Sequence, residues 1–250
     1  MKLISKYKSP NYNKRNKGST PKFIIIHYTA LKSEIESIKY LCDENNRVSC
    51  HYLVSKSGKI FNIVSTEFRA WHAGYAKWKN YKDLNSYSIG IELDNPGYSI
   101  KIEKFQERQI QSLIKLISFL KKKYQIKNEN ILGHSDIAPY RKIDPGEKFP
   151  WQKLEKLGLS YFPKDIDKIT KQNIEKKLKL KSLKTKKLRA LYILSKIGYD
   201  TLLAYSNNRD FKKLITIYQM HFNNKNLTGK LDNSTYSIIL SHFNDFLTKK

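Results

Sequence analysis

The sequence is poor in cysteine, with only Cys42 and Cys50 in 250 residues. Two are too few for a disulfide framework, and in a chain of this length they read as small buried side chains that leave the redox compartment undecided. No run of about 18 apolar residues occurs, which excludes a membrane-spanning helix. The N-terminal MKLISKYKSPNYNKRNKGSTPK carries seven basic residues and no acidic one, and it lacks the apolar stretch of about 7–15 residues that a signal peptide needs. The cytoplasm is therefore the first expectation for location. No HExxH pair, Walker loop, GxSxG elbow or CxxC motif is present, which removes the commonest metalloprotease, phosphate-binding, serine-hydrolase and thiol-redox readings. Acidic residues are scarce, 22 against 48 Lys+Arg, for a net charge of +26. Such an excess points to a polyanionic partner, but only seven of the 48 are arginine. Lysine lacks the planar fork that reads phosphates and bases, so specific nucleic-acid recognition is not expected. The charge reads as a lysine-rich surface, one that also suits adhesion to an anionic cell-wall polymer.

Apolar residues, at 40% of the chain, suffice for a core. KFIIIHYTA reads as a short buried strand of β-branched residues whose C-terminal end presents His27. Ile35, Ile38 and Leu41 then recur at helical spacing over about residues 33–43. HYLV and KIFNIV, separated by the turn composition SKSG, predict a β-hairpin over 51–64 that starts at His51. SYSIGIELDNPG holds another apolar strand over 89–93, with Glu92 embedded in it. The most regular helical face runs from Ile110 through Leu113, Ile114, Ile117 and Leu120 to Tyr124, and a short strand at Ile131 and Leu132 follows. Strands alternating with helices predict an α/β (α+β) domain over 1–163. Residues 164–250 form a second region, a basic stretch with twelve Lys or Arg against three acidic residues over 164–196, then a small three-helix module with helices from about Lys184, over 210–222 and over 234–247. Of its histidines, His221 reads as packed and His242 as exposed.

The chemistry concentrates in the first domain. His27, His51, His72 and His134 lie there, three of them at or beside strand ends, together with Glu92 and the loop ILGHSDIAPYRKIDPG over 131–146. A catalytic zinc site uses three N or O ligands and an open fourth position, and a His-His-Asp set meets that need. A carboxylate in an apolar strand such as Glu92 suits a general base, and a cation such as Lys142 suits an oxyanion. Spacing alone leaves His134 and Asp144 open between a pair of metal ligands and polar residues of a surface loop.

FIIIHYTA, SCHYLVSKSGKIFNIV, RAWHAGYAKW, LNSYSIGIELDNPG and GHSDIAPYRKIDPGEKFPW resemble, in that order, the successive motifs of the zinc-dependent N-acetylmuramoyl-L-alanine amidases, relatives of phage lysozyme-type amidases and peptidoglycan recognition proteins. The likeness runs from SPNYNKR, near residue 9, to about Pro163. Within the family it is the AmiD type that the chain resembles, because LSKIGYD and LITIYQMHFNNKNLTGKLDNSTYSIIL are similar to the three-helix peptidoglycan-binding-like domain that follows the amidase domain there. The resemblance implies a central mixed β-sheet flanked by helices. It implies one Zn2+ held by His27, His134 and Asp144, with Glu92 as general base and Lys142 as oxyanion stabiliser. His51, Trp71 and His72 then fall in motifs that shape or contact the substrate cleft. The implied reaction is hydrolysis of the amide between N-acetylmuramic acid, or its 1,6-anhydro form, and L-alanine in peptidoglycan or muropeptides; the alternative is a non-catalytic peptidoglycan receptor, whose kind often lacks a zinc ligand. For the tail, wall binding and a purely structural role both stay open. The AmiD type acts outside the cytoplasm, so a periplasmic or outer-membrane location is the alternative to a cytoplasmic one.

Overall fold

A computed structural model describes residues 1–177 and 182–248. They group into two compact units, one of residues 1–76, 81–134 and 143–161, the other of residues 77–80, 135–142 and 162–250.

The first unit is built on a six-stranded mixed sheet. Its strands are β1 (Leu3–Ile4), β3 (Phe23–Tyr28), β4 (Tyr52–Val54), β5 (Ile60–Asn62), β7 (Ser88–Leu93) and β8 (Ile131–Gly133), in the order β1-β5-β4-β7-β3-β8. The expected hairpin is the antiparallel pair β4–β5, while β3 runs parallel to both β7 and β8, and β4 parallel to β7. A separate two-stranded ribbon pairs β2 (Tyr12–Lys14) with β6 (Phe68–Ala70).

Alternation along the strands divides the sheet into two faces. Ile24, Ile26, Ile89, Ile91 and Leu93 point into one core with Ile110, Leu113, Leu116, Ile117 and Leu120 of α4 (Glu107–Tyr124). Each such aliphatic side chain contributes about 1.5–3 kcal/mol on leaving water, which explains why this regular helix and these continuous apolar strands assemble. On the other face Leu53 and Phe61 meet Ile38 and Leu41 of α1 (Glu34–Cys42). Ile35, expected on that helix's buried stripe, is 65% exposed; Ser37 is the third buried position instead. Cys50 is buried, Cys42 half-buried, and both are free thiols. The smaller helices of this part of the chain are α2 (Leu84–Tyr87), α3 (Gly97–Ile100) and α6 (Trp151–Lys156); α5 (His134–Ile137) follows β8 directly.

In the second unit the three expected helices are α8 (Lys186–Ile197), α10 (Asn208–Phe222) and α11 (Asn233–Thr248). Two more, α7 (Lys168–Lys177) and α9 (Leu202–Ser206), were not legible as periodic patterns. Asp136 is enclosed within this unit, where its carboxylate accepts hydrogen bonds from the Tyr199 hydroxyl (2.7 Å) and His221 Nδ1 (2.8 Å). His221 is packed, as its segment suggested. His242, expected on the surface, is instead 2% exposed, with Nδ1 3.2 Å from the Tyr218 hydroxyl. The reason is that its ring faces α10, where it packs against the Tyr218 and Phe222 rings. No helix among the described residues is long and apolar enough to cross a membrane.

Candidate metal centre

The site grows from the second face of the sheet. In β3 the alternation that sends Ile24 and Ile26 into the α4 core sends His27 the other way. In β7 the segment SIGIEL does the same: Ile89, Ile91 and Leu93 enter the core, and Ser88, Gly90 and Glu92 occupy the opposite face. His27 and Glu92 are register partners on neighbouring parallel strands, so their side chains leave the sheet side by side. Gly133 ends β8 opposite Ile26, and the chain then turns into α5 at His134.

His27, His134 and Asp144 converge. Nδ1 of His27 lies 3.0 Å from Nδ1 of His134 and 3.1 Å from Oδ2 of Asp144, and Nδ1 of His134 lies 3.0 Å from that same oxygen. All three residues are buried.

The proton positions follow from the outer hydrogen bonds. Ser88 donates its hydroxyl proton to the Leu84 carbonyl at 2.5 Å, so its oxygen accepts from Nε2–H of His72 at 3.1 Å. The Nδ1 of His72 is then an acceptor, filled by Nε2–H of His27 at 3.0 Å. His134 donates its own Nε2–H to the Ala73 carbonyl at 3.0 Å. Both histidines therefore turn a bare Nδ1 toward Asp144, and two lone pairs with a carboxylate oxygen about 3 Å apart repel one another unless a cation lies among them. A tetrahedral zinc centre with bonds of about 2.0–2.1 Å has ligand–ligand edges of about 3.3 Å. The observed triangle matches those edges within a few tenths of an ångström, and its two imidazoles and one carboxylate suit a catalytic metal with an open position.

Of the other expected site residues, His72 adjoins this triangle. His72 is buried, with the far edge of its ring against Ser88 and the near edge against His27. A Cβ on Gly90 would stand 2.4 Å from the His72 ring, so glycine is what makes room for it. His51 is also fully buried: its Nδ1 accepts from Gly90 N–H (2.9 Å) and its Nε2–H donates to the Phe68 carbonyl (3.1 Å). Burial, and then the nearby Arg15 charge, push its pKa down to about 3. Both nitrogens of each ring are thus spent within the protein. Trp71 is half-buried and donates its indole N–H to Asn13 Oδ1 (2.9 Å). Lys142 is half-buried in a turn of the second unit, where its N–H donates to the Ala138 carbonyl (3.0 Å).

Sequence reasoning missed several contributors. Arg15 lies part-buried, giving hydrogen bonds to the carbonyls of Thr66, Asn85, Ser86 and Ser88 at 2.8–3.1 Å. Burial first, then the charges of Asp144, Glu147 and Glu92, push the Tyr28 phenol up. Ser88 and Gly90 carry a signal that period-2 reading exposes, since small or polar residues alternate there with core isoleucines and lead to Glu92.

Comparison with known proteins gives the family. The family model described as N-acetylmuramoyl-L-alanine amidase matches residues 17–147. The N-acetylmuramoyl-L-alanine amidase AmiD of Escherichia coli is 36% identical over 229 residues, covering 87% of this chain and 80% of that protein. The 1,6-anhydro-N-acetylmuramyl-L-alanine amidase AmpD of Haemophilus influenzae is 32% identical over 58% of this chain and 86% of its own length. Among solved structures, E. coli AmiD in complex with the substrate anhydro-N-acetylmuramic acid-L-Ala-D-gamma-Glu-L-Lys superposes with a TM-score of 0.77 at 31% identity, covering 93% of each chain. AmpDh3 of Pseudomonas aeruginosa in complex with anhydromuramic pentapeptide gives 0.78 at 30% identity, over 93% of this chain and 96% of its own. With its model matched over more than half of the sequence and relatives that span nearly all of it, the chain belongs to the N-acetylmuramoyl-L-alanine amidase family.

Proposed function

We propose that this protein is a zinc-dependent N-acetylmuramoyl-L-alanine amidase that cleaves the amide between the lactyl group of N-acetylmuramic acid, or its 1,6-anhydro form, and L-alanine in muropeptides. The observation that carries this reading is the buried triangle of His27, His134 and Asp144, with Glu92 beside His27 in the next strand. Zinc held by the three would polarise the amide carbonyl and lower the pKa of water toward about 7. The chain supplies the remaining steps. Glu92, half-buried at the edge of the site, takes the proton of the attacking water and returns it to the departing L-alanine nitrogen. Lys142, two residues before ligand Asp144 in sequence, is assigned the negative charge that develops on the carbonyl oxygen. Its support is the motif RKIDPG.

His72 and His51 act from beneath the site, orienting its ligands and strands, because their nitrogens are already bonded within the protein. Trp71 is assigned to the substrate cleft. The peptide-bearing anhydromuramic ligands of the AmiD and AmpDh3 structures support muropeptide fragments as the substrate class. Digestion of purified muropeptides tests the proposal. The expected products are a sugar with a free lactyl carboxylate and a peptide with a free L-alanine amine, formed by the zinc-loaded protein and lost after chelation. Cleavage at another bond, or cleavage unaffected by complete metal removal, contradicts it, and binding without turnover favours the receptor alternative.

A further inference from the structure

We propose that Asn85 is a positioning residue for both histidine ligands, acting through the dipeptide His72–Ala73; this rests on the zinc reading above. Asn85 is 5% exposed, in α2, and its Oδ1 accepts the backbone N–H groups of His72 (3.1 Å) and Ala73 (2.8 Å) together. That dipeptide reaches the two ligands separately. The ring of His72 receives Nε2–H of His27, and the carbonyl of Ala73 receives Nε2–H of His134. One amide oxygen therefore fixes the position of both groups that hold the ligand rings.

The distances show how sensitive the arrangement is. Both outer hydrogen bonds are 3.0 Å long, and such bonds are lost beyond about 3.5 Å. A displacement of the dipeptide by well under 1 Å would release one ring or the other. A released imidazole can rotate about its side-chain torsions and turn its Nδ1 away from the triangle. Such outer bonds also fix which nitrogen carries the proton, and losing them typically costs about 10–100-fold in metal affinity. A merely structural asparagine would secure a turn. Here its two accepted bonds fall on the two residues that touch the ligand rings.

The test compares the full-length wild type, Asn85→Ala and Asn85→Asp, the last keeping an oxygen acceptor in place. Zinc affinity is measured by competition with a chromogenic chelator, cobalt(II) binding by its visible absorption, and stability by unfolding of the metal-free forms. Asn85→Ala is expected to bind zinc about 10–100-fold more weakly and to give a weakened, shifted cobalt band, while Asn85→Asp restores both. If Asn85→Ala melts earlier but its folded form binds zinc with wild-type affinity and spectrum, or if Asn85→Asp fails like alanine, the proposal is overturned. Failure of the wild type itself to take up zinc overturns the zinc reading, and this inference with it. Should Asn85→Ala not fold, 15N spectra of the wild-type imidazoles decide: a proton on Nε2 of both His27 and His134 in the metal-free protein is expected, and a bare Nε2 on either overturns the proposal.

Discussion

Gly90→Ala tests the packing beneath the site most sharply. The added methyl would lie 2.4 Å from Cγ of His72 and 2.6 Å from both Cδ2 and Nδ1, where ordinary contact begins at 3.4 Å. The ring must therefore retreat by about 1 Å, and its bonds to His27 and Ser88, now 3.0 and 3.1 Å, pass out of hydrogen-bonding range. Overpacking a core costs about 1–3 kcal/mol, and two buried hydrogen bonds contribute about 0.5–1.5 kcal/mol each. Together they give a loss of about 2–6 kcal/mol from a total stability of roughly 5–15 kcal/mol. Because His27 loses its outer partner, zinc affinity should also fall, by about 10–100-fold. Urea unfolding of the metal-free protein followed by circular dichroism gives the first quantity, and chelator competition the second. A variant within about 0.5 kcal/mol of wild type that binds zinc equally well would refute the packing assigned to Gly90.

Three further outcomes are expected. Glu92→Gln should retain one zinc per chain and lose about 10²–10⁴-fold in kcat, the usual contribution of a positioned general base; muropeptide turnover together with metal content checks it, and near-normal turnover removes Glu92 from that role. Lys142→Ala should lower kcat more than it raises KM, as expected for a group acting on charge that develops only in the transition state, and a pure KM effect would reassign it to substrate binding. His51 should make stability pH-dependent: its folded pKa is about 3 against an ordinary 6.5, so between those values the unfolded chain binds a proton that the folded protein refuses. Stability is then fully present above about pH 6.5 and falls by up to about 1.4 kcal/mol per pH unit on acidification from this group alone. His51→Gln should flatten that slope in pH-dependent unfolding, and equal slopes would show that the ring is protonated in the fold.

The strands and the long helix were legible because their apolar residues follow simple periods: FIIIHY and SIGIEL are core-facing at alternate positions, and α4 keeps a single apolar stripe. His27 and Glu92 stood out as polar residues in apolar strands. Their meeting did not, since it depends on the parallel register of β3 with β7, which no local pattern encodes. The motif resemblance supplied that long-range information for the ligands, but it said nothing of the layer beneath them. Asn85 acts through its amide oxygen from the four-residue helix α2, too short to carry a periodic pattern, so it reads like any polar loop residue. In the tail, His242 was misjudged because its ring faces Tyr218 and Phe222 of α10, a meeting of two separate helices that no local pattern encodes. Ile35 misled in the opposite sense, since helical spacing marks a possible stripe without saying how wide the covering surface is.

The central claim is that His27, His134 and Asp144 hold one zinc through the Nδ1 atoms of both imidazoles. Crystals of the zinc-loaded protein, measured on both sides of the zinc absorption edge, test it directly. A single anomalous peak at bonding distance, about 2.0–2.2 Å, from Nδ1 of His27, Nδ1 of His134 and a carboxylate oxygen of Asp144 is the expected result. Zinc bound elsewhere, or bound through the Nε2 atoms that here donate to His72 and Ala73, would contradict it.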